Sequence, residues 1–244
     1  MNLPAPANED VNWLEPTDLY LSVGDSCEID RPLFQGDVFT GVPLPSLPGA
    51  PPGAGRVPID FTEWTVMLIP HPCQCYNGDK LRSHLTVAPV QEVPNYDTLG
   101  PERDRAFDKF ALPDLPVTQE GDGQSISYLA NFGRLLTVPR EYLIPSRRIA
   151  CLSHQGLGLL AKRLIRFQLR MPSRLSDTMA YTTNQWNEAF LMQAWVRKHL
   201  TLKGYSRWLK TPCVIKALDE EQPLVPADYL TGALDVLIDA VTAM

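Results

Sequence analysis

Six prolines fall between positions 43 and 58, in and just after the run Gly41-Val-Pro-Leu-Pro-Ser-Leu-Pro-Gly-Ala-Pro-Pro-Gly-Ala-Gly55. Each removes a backbone donor and fixes φ, so the sequence predicts that neither helix nor ladder persists and that 41–58 is one long loop. Its composition suits polyproline II, as a partner ligand or a flap, but a tolerated surface insertion is the preferred reading. The loop separates an opening strand, Phe34-Gln-Gly-Asp-Val-Phe39, from a nearly continuous apolar strand at Thr65–Ile69, as expected of a strand buried on both faces. A further strand, Leu85-Thr-Val-Ala-Pro-Val90, carries Pro89, which demotes its far end to an edge or bulge.

The stretch 94–123, rich in charge, Pro, Asp and Gly, reads as irregular, anchored by Phe107, Phe110 and Leu112. Ile126-Ser-Tyr-Leu and Leu135-Leu-Thr-Val138 read as two closing strands around an Asn131-Phe-Gly133 turn. Leu157, Leu160, Leu164 and Phe167 then recur at helical spacing, with Pro172 as the stop. A second helix is predicted from Thr182, with Gln185 completing a capping box, through Trp186, Phe190 and Leu200 to Lys203-Gly204. A strand is expected at Cys213–Ala217, and a last helix starts at Pro226 and carries Leu230, Leu234, Leu237 and Val241. Trp186, Trp195 and Trp208 read as helix-packing residues. The division is an acidic arm (1–30), a β-rich region (31–152) and a helical region (153–244).

In their order and spacing these segments resemble the small β-barrel of the PemK/MazF-like proteins. The likeness runs on through the "LTVP" strand and Arg148-Ile-Ala-Cys-Leu-Ser-x-x-Gly156 into a basic amphipathic helix, and covers residues 34 to about 170. It resembles a branch found in bacterial and phage genomes, and implies an α+β fold, a small barrel followed by a mainly helical half. In the toxin members RNA cleavage relies on an Arg leading into the central strand and a Thr or Ser after the "VAPV" strand. Here those places hold Asp60-Phe-Thr-Glu-Trp64, without an Arg, and Gln91. Gln has no useful pKa, and Glu63 repels a phosphate; Arg82, nearby in sequence, is the minor candidate for a displaced catalytic group acting from another strand. The barrel-mouth candidates are Glu63, His71, Cys73, Arg82 and Gln91. The resemblance implies a non-catalytic interaction module of a bacterial or phage mobile element; an endoribonuclease and a phage assembly protein are the alternatives.

If 71–75 stays extended, His71, Cys73 and Cys75 share one face, with His84, Cys151 or His154 as a fourth zinc ligand. The single-residue Cys spacing and Pro72 argue instead for buried thiols, so no metal and no cofactor are expected. Cys73 as a nucleophile with His71 or His84 lacks an orienting third group, and no phosphate loop, nucleophile elbow or carboxylate pair is present. The net charge of −6 is unevenly placed: residues 1–37 hold eight acids against Arg31, whereas 142–176 hold seven basic residues and no acid. Either these regions face each other, or the basic helix, through Lys162, Arg163, Arg166 and Arg170, attracts a nucleic acid. Five scattered cysteines and the absence of a long apolar run or signal-like start lead to the expectation of a cytoplasmic protein with a protein or nucleic-acid partner, no membrane, and homo-oligomerisation left open.

Overall fold

The computed structural model describes residues 19–46, 60–94, 108–116, 126–170, 173, 175–213 and 223–244. Its strands are β1 (Tyr20–Val23), β2 (Val38–Ser46), β3 (Asp60–Leu68), β4 (Tyr76–Asn77), β5 (Lys80–Leu81), β6 (His84–Pro94), β7 (Lys109–Leu112), β8 (Ile126–Asn131), β9 (Leu136–Pro139) and β10 (Arg148–Leu152). The helices are α1 (Pro72–Cys75), α2 (His154–Leu169), α3 (Leu175–His199), α4 (Tyr205–Lys210) and α5 (Leu234–Ala243). The class is α+β. One antiparallel sheet runs β1-β10-β2-β3-β6-β8-β7, with β9 also on β6, and β4–β5 form a separate hairpin. Among the described residues no ladder joins β1 to β7, so the expected barrel is not closed. The two ends of the path nevertheless meet: the Tyr20 hydroxyl donates to the Pro113 carbonyl, just past β7, at 2.9 Å.

Period-two alternation gives this sheet two dry faces. Val38, Met67, Ala88, Phe110, Leu112, Tyr128, Ala130, Ala150 and Leu152, drawn from six strands, join Leu19 and the α2 residues Leu157 and Leu160 in one cluster. The opposite parity, Phe39, Val66, Leu68, Leu85, Val87 and Val138, packs with Cys75 and Leu143. A third cluster, of Leu191, Trp195, Tyr205, Leu237 and Val241, holds the end of α3 to α4 and α5. Leu164 and Phe167 pack on the first cluster as the helical spacing predicts, and Trp186, Trp195 and Trp208 are packing residues.

The Gly-Asp element has a clear physical basis. Gly36 turns the chain at φ +83, where an added Cβ would meet Leu152 Cγ at 2.8 Å. Strand β2 therefore begins at Val38 rather than Phe34. The Asp37 carboxylate accepts from the Phe34 amide at 2.9 Å and pairs with Arg148 Nε at 3.3 Å, both side chains being fully buried. Arg148 also donates to the Glu28 and Arg31 carbonyls at 3.2 and 2.8 Å. This polar knot ties 28–37 to β10.

Several expectations are corrected. Pro43 and Pro45 lie inside β2 and keep register with Glu63 and Phe61 of β3. They stand two apart, so both missing donors fall on one edge, and β10 pairs with β2 only at Val38 and Phe39. The rest of the proline run, 47–58, lies outside the described residues, as do Phe107 and Pro172. The region read as irregular contains β7, because Phe110 and Leu112 supply apolar alternation toward the core. Strand β6 passes through Pro89, and its partners change there: β3 and β9 pair up to that point, β8 beyond it. Helix α3 starts at Leu175, not Thr182. Thr182 and Gln185 are buried, bonding the Met179 carbonyl and Gln35, so burial overrides their capping signal. Cys213 makes only an isolated bridge to Leu224, and 214–222 lie outside the described residues. The last helix is split into a 3-10 turn at Pro226–Tyr229 and α5.

Candidate functional site

The site arises where the strand pattern changes from apolar to polar. On the face occupied by Val38, Met67 and Ala88, the next positions outward along the same strands are Thr40, Thr65 and Val90, and beyond them Glu63 and Glu92. The β3–β6 ladder runs only from Leu68↔Val87 to Val66↔Pro89. Past it the β2–β3 ribbon and the β6–β8 ribbon part, and a cleft of about 870 Å³ opens between them. One wall carries Thr40, Gly41, Thr62, Glu63, Trp64 and Thr65, the other Val90, Gln91, Glu92 and Tyr128. Residues Asp60–Thr65 of β3 have no described ladder partner on the side away from β2.

Arg147 reaches the rim. Lying just before β10, it donates to the Gly41 carbonyl at 2.6 Å and stands 4.0 Å from Glu63 Oε1. Gly41 makes this possible: it sits at φ +66 in the β2 bulge, and a Cβ there would lie 2.9 Å from Arg147 Nη1. Sequence reasoning counted Arg147 among the basic residues but did not place it at this site. A lone Gly inside a strand is the signal for such a close approach. On the other wall, Gln91 Oε1 accepts from Asn131 Nδ2 at 3.3 Å. The cleft thus offers two carboxylates, hydroxyls, an amide and a strand edge, with no Cys, His or Lys among its described lining residues.

The five barrel-mouth candidates do not converge. Glu63 and Gln91 line the cleft, whereas His71 lines a separate cavity of about 360 Å³ between the sheet and helices α2 and α3, and Cys73 and Arg82 line neither. The reason is local: Pro72 starts a helical turn, so 71–75 is not extended and the one-face zinc arrangement fails. His71 caps that turn, its Nδ1 accepting from the Cys73 amide at 3.2 Å and lying 3.0 Å from Cys73 Sγ. Burial holds the His71 pKa below its ordinary value. Cys75 is buried, with its thiol toward the Pro70 carbonyl, and desolvation pushes its pKa up to about 12. The three remaining zinc-ligand candidates lie elsewhere: His84 contacts Ser83, Cys151 is buried in β10, and His154 stacks on Trp186. Among the described residues no group of three His, Cys, Asp or Glu side chains is placed to hold a metal.

Lys162, Arg163 and Arg166 are half-buried on α2 and only Arg170 is exposed, at the left-handed cap that ends the helix. They do not form the solvent-facing stripe that their spacing suggests, and all four are engaged in interactions. The acidic start is partly neutralised from within: Asp37 pairs with Arg148, and Glu28 and Asp30 each lie 2.6 Å from Arg197 of α3. No helix is long and apolar enough to cross a membrane among the described residues. No family model, curated protein or solved structure matches this chain.

Proposed function

We propose that the chain is a non-catalytic interaction module that captures an extended, basic protein segment in the cleft between β3 and β6. In this reading the curled sheet is a PemK/MazF-like barrel, closed by side chains rather than by a ladder, and the cleft is its mouth. The setting that the resemblance implies is a bacterial or phage mobile element. The observation that carries the reading is the edge of β3, without a ladder partner among the described residues, along a cleft flanked by Glu63 and Glu92. An edge of Asp60–Thr65 spans roughly 20 Å at ~3.3 Å per residue, enough for a short strand added by backbone hydrogen bonds. The two carboxylates favour Lys or Arg at alternate positions and disfavour a polyanion.

Catalysis on RNA is a poorer fit to the same groups. Cleavage needs a positioned acid and base and a cation for the developing charge. Glu63 and Glu92 oppose phosphate, and Arg147 is engaged by Gly41.

The test uses a fluorescently labelled alternating Lys–Val heptapeptide, with its Glu–Val counterpart as control. The expected result is saturable, salt-sensitive binding of the basic peptide alone, weakened about tenfold, roughly 1.4 kcal/mol, by Glu63→Lys with Glu92→Lys. Equal binding of both peptides, or no loss in the double variant, refutes the docking reading. In parallel, single-stranded RNA is incubated in chelator. Cleavage that disappears with Arg147→Ala or Arg82→Ala overturns the non-catalytic reading in favour of a nuclease.

A further inference from the structure

We propose that Cys27 and Cys151 form a peroxide-reactive dithiol, Cys27 reacting first and Cys151 closing a disulfide. The pair is assembled by the sheet. Strand β1 sets Ser22 opposite Cys151 of β10, and the 3-10 turn Gly24–Ser26 folds the chain back so that the Cys27 amide bonds the Gly24 carbonyl at 3.1 Å. This brings Cys27 against both residues. The Ser22 hydroxyl donates to Cys27 Sγ at 3.6 Å, and Ser22 is the cross-strand partner of Cys151, so the two thiols flank one residue. Cys27 is only partly buried, whereas Cys151 is fully buried.

The electrostatics divide the roles. The hydrogen bond from Cys151 is the main cause that lowers the Cys27 pKa to about 7; burial opposes it, the Ser22 hydroxyl and the Arg148 guanidinium assist, and the Asp37 carboxylate opposes. The Cys151 pKa is raised, first by its hydrogen bond to Cys27 and then by burial, with Asp37 adding to the rise and Arg148 and Arg31 opposing it. An accessible thiol that ionises near neutrality beside a second, protonated one is the arrangement in which thiolate attack is followed by resolution.

The steps balance with a hydroperoxide as oxidant. The Cys27 thiolate attacks one peroxide oxygen, an S–O bond forms, the O–O bond breaks, and the departing hydroxide leaves as water. The Cys151 sulfur then attacks the Cys27 sulfenic sulfur, an S–S bond forms, the S–O bond breaks, and the second water carries off the Cys151 proton. The dithiol loses two electrons and the peroxide gains them. Cys73 is the internal competitor: it is exposed and lies beside His71, but its neighbour Cys75 is buried with a raised pKa.

The experiment treats the reduced full chain with limiting hydrogen peroxide and maps the products by mass spectrometry. The expected product is a Cys27–Cys151 disulfide, forming equally in Cys73→Ser and faster as pH rises through about 7. Cys151→Ser should stop at a Cys27 sulfenic acid trapped by dimedone, and Cys27→Ser should leave Cys151 reduced. The wild-type map alone decides if a variant fails to fold. Consumption of Cys73 with Cys27 and Cys151 still reduced, or oxidation of Cys27 that never yields the disulfide, overturns the proposal.

Discussion

The inner and outer ends of strands β2 and β3 are built from the same backbone and do opposite things. At the inner end Val38, Val66, Met67 and Leu68 are fully buried, and the strands are clamped by the Asp37–Arg148 pair. Three and five residues outward from Val66, Glu63 and Phe61 are exposed, the described β3–β6 ladder has ended, and Arg147 holds the bulge at Gly41. The contrast teaches that the scaffold and the candidate site are separated along the strands rather than across them. On the face of Val38, Met67 and Ala88 the apolar alternation ends at Thr40, Thr65 and Glu63, while Val42 and Leu44 stay buried on the opposite face; the edge of β3 without a described ladder partner begins there. Stability should therefore reside at one end and recognition at the other, which substitutions can test.

The largest effect is expected at the inner clamp. Arg148→Met removes a buried guanidinium that serves Asp37 and the Glu28 and Arg31 carbonyls, leaving a desolvated carboxylate uncompensated. Breaking one side of a buried pair costs about 3–5 kcal/mol, read as a fall in urea midpoint. Arg147→Met at the outer end, whose pair with Glu63 is long and exposed, should cost about 0–1 kcal/mol. Equal losses at the two sites would break the division between the ends.

Two glycines sharpen it further. Gly36 and Gly41 both adopt left-handed backbone, at φ +83 and +66, so alanine at either place carries a strain of about 1–3 kcal/mol. At Gly36 the added Cβ also meets Leu152 Cδ1 at 2.5 Å inside the core, whereas at Gly41 it meets the tip of the flexible Arg147 side chain at 2.9 Å. Overpacking adds about 1–3 kcal/mol to Gly36→Ala alone. Thermal melts should rank Gly36→Ala well below Gly41→Ala. The reverse order would mean that the bulge, not the turn, is the rigid element.

Much of the scaffold was legible because it depends on local pattern. Val66–Ile69 of the apolar run and the anchors Phe110 and Leu112 are buried, and of the helical stripe Leu157 and Leu160 are buried while Leu164 and Phe167 pack against the same cluster. The misreadings came where a neighbouring strand or helix overrode that pattern. Pro43 and Pro45 are tolerated because the edge facing away from β3 needs no donor there. Thr182 is a good cap in sequence, yet it is buried within a longer helix, its hydroxyl bonding the Met179 carbonyl one turn earlier while Gln185 reaches Gln35. The cleft was half legible: Glu63 and Gln91 meet there, but Arg147 arrives from 106 residues away in sequence through Gly41. The one-face arrangement of His71, Cys73 and Cys75 requires an extended backbone, which Pro72 replaces with a helical turn.

The smallest effect is expected from the basic helix. Lys162, Arg166 and Arg170 stand four apart on α2, and a charge run of this kind is usually solvated or internally paired. Lys162 and Arg166 are half-buried and all three have interaction partners, and long basic side chains so placed lay their stems along apolar surface. Replacing all three by Gln should lower stability by about 1 kcal/mol or less, and should leave retention of single-stranded RNA unchanged at every salt concentration. A polyanion face predicts otherwise: affinity should fall steeply with salt, and each neutralised phosphate contact should reduce the log–log slope by roughly 0.7. RNA binding that the triple variant loses at an unchanged melting temperature would move recognition from the cleft to α2, and would break the comparison on which the assignment of the outer strand ends rests.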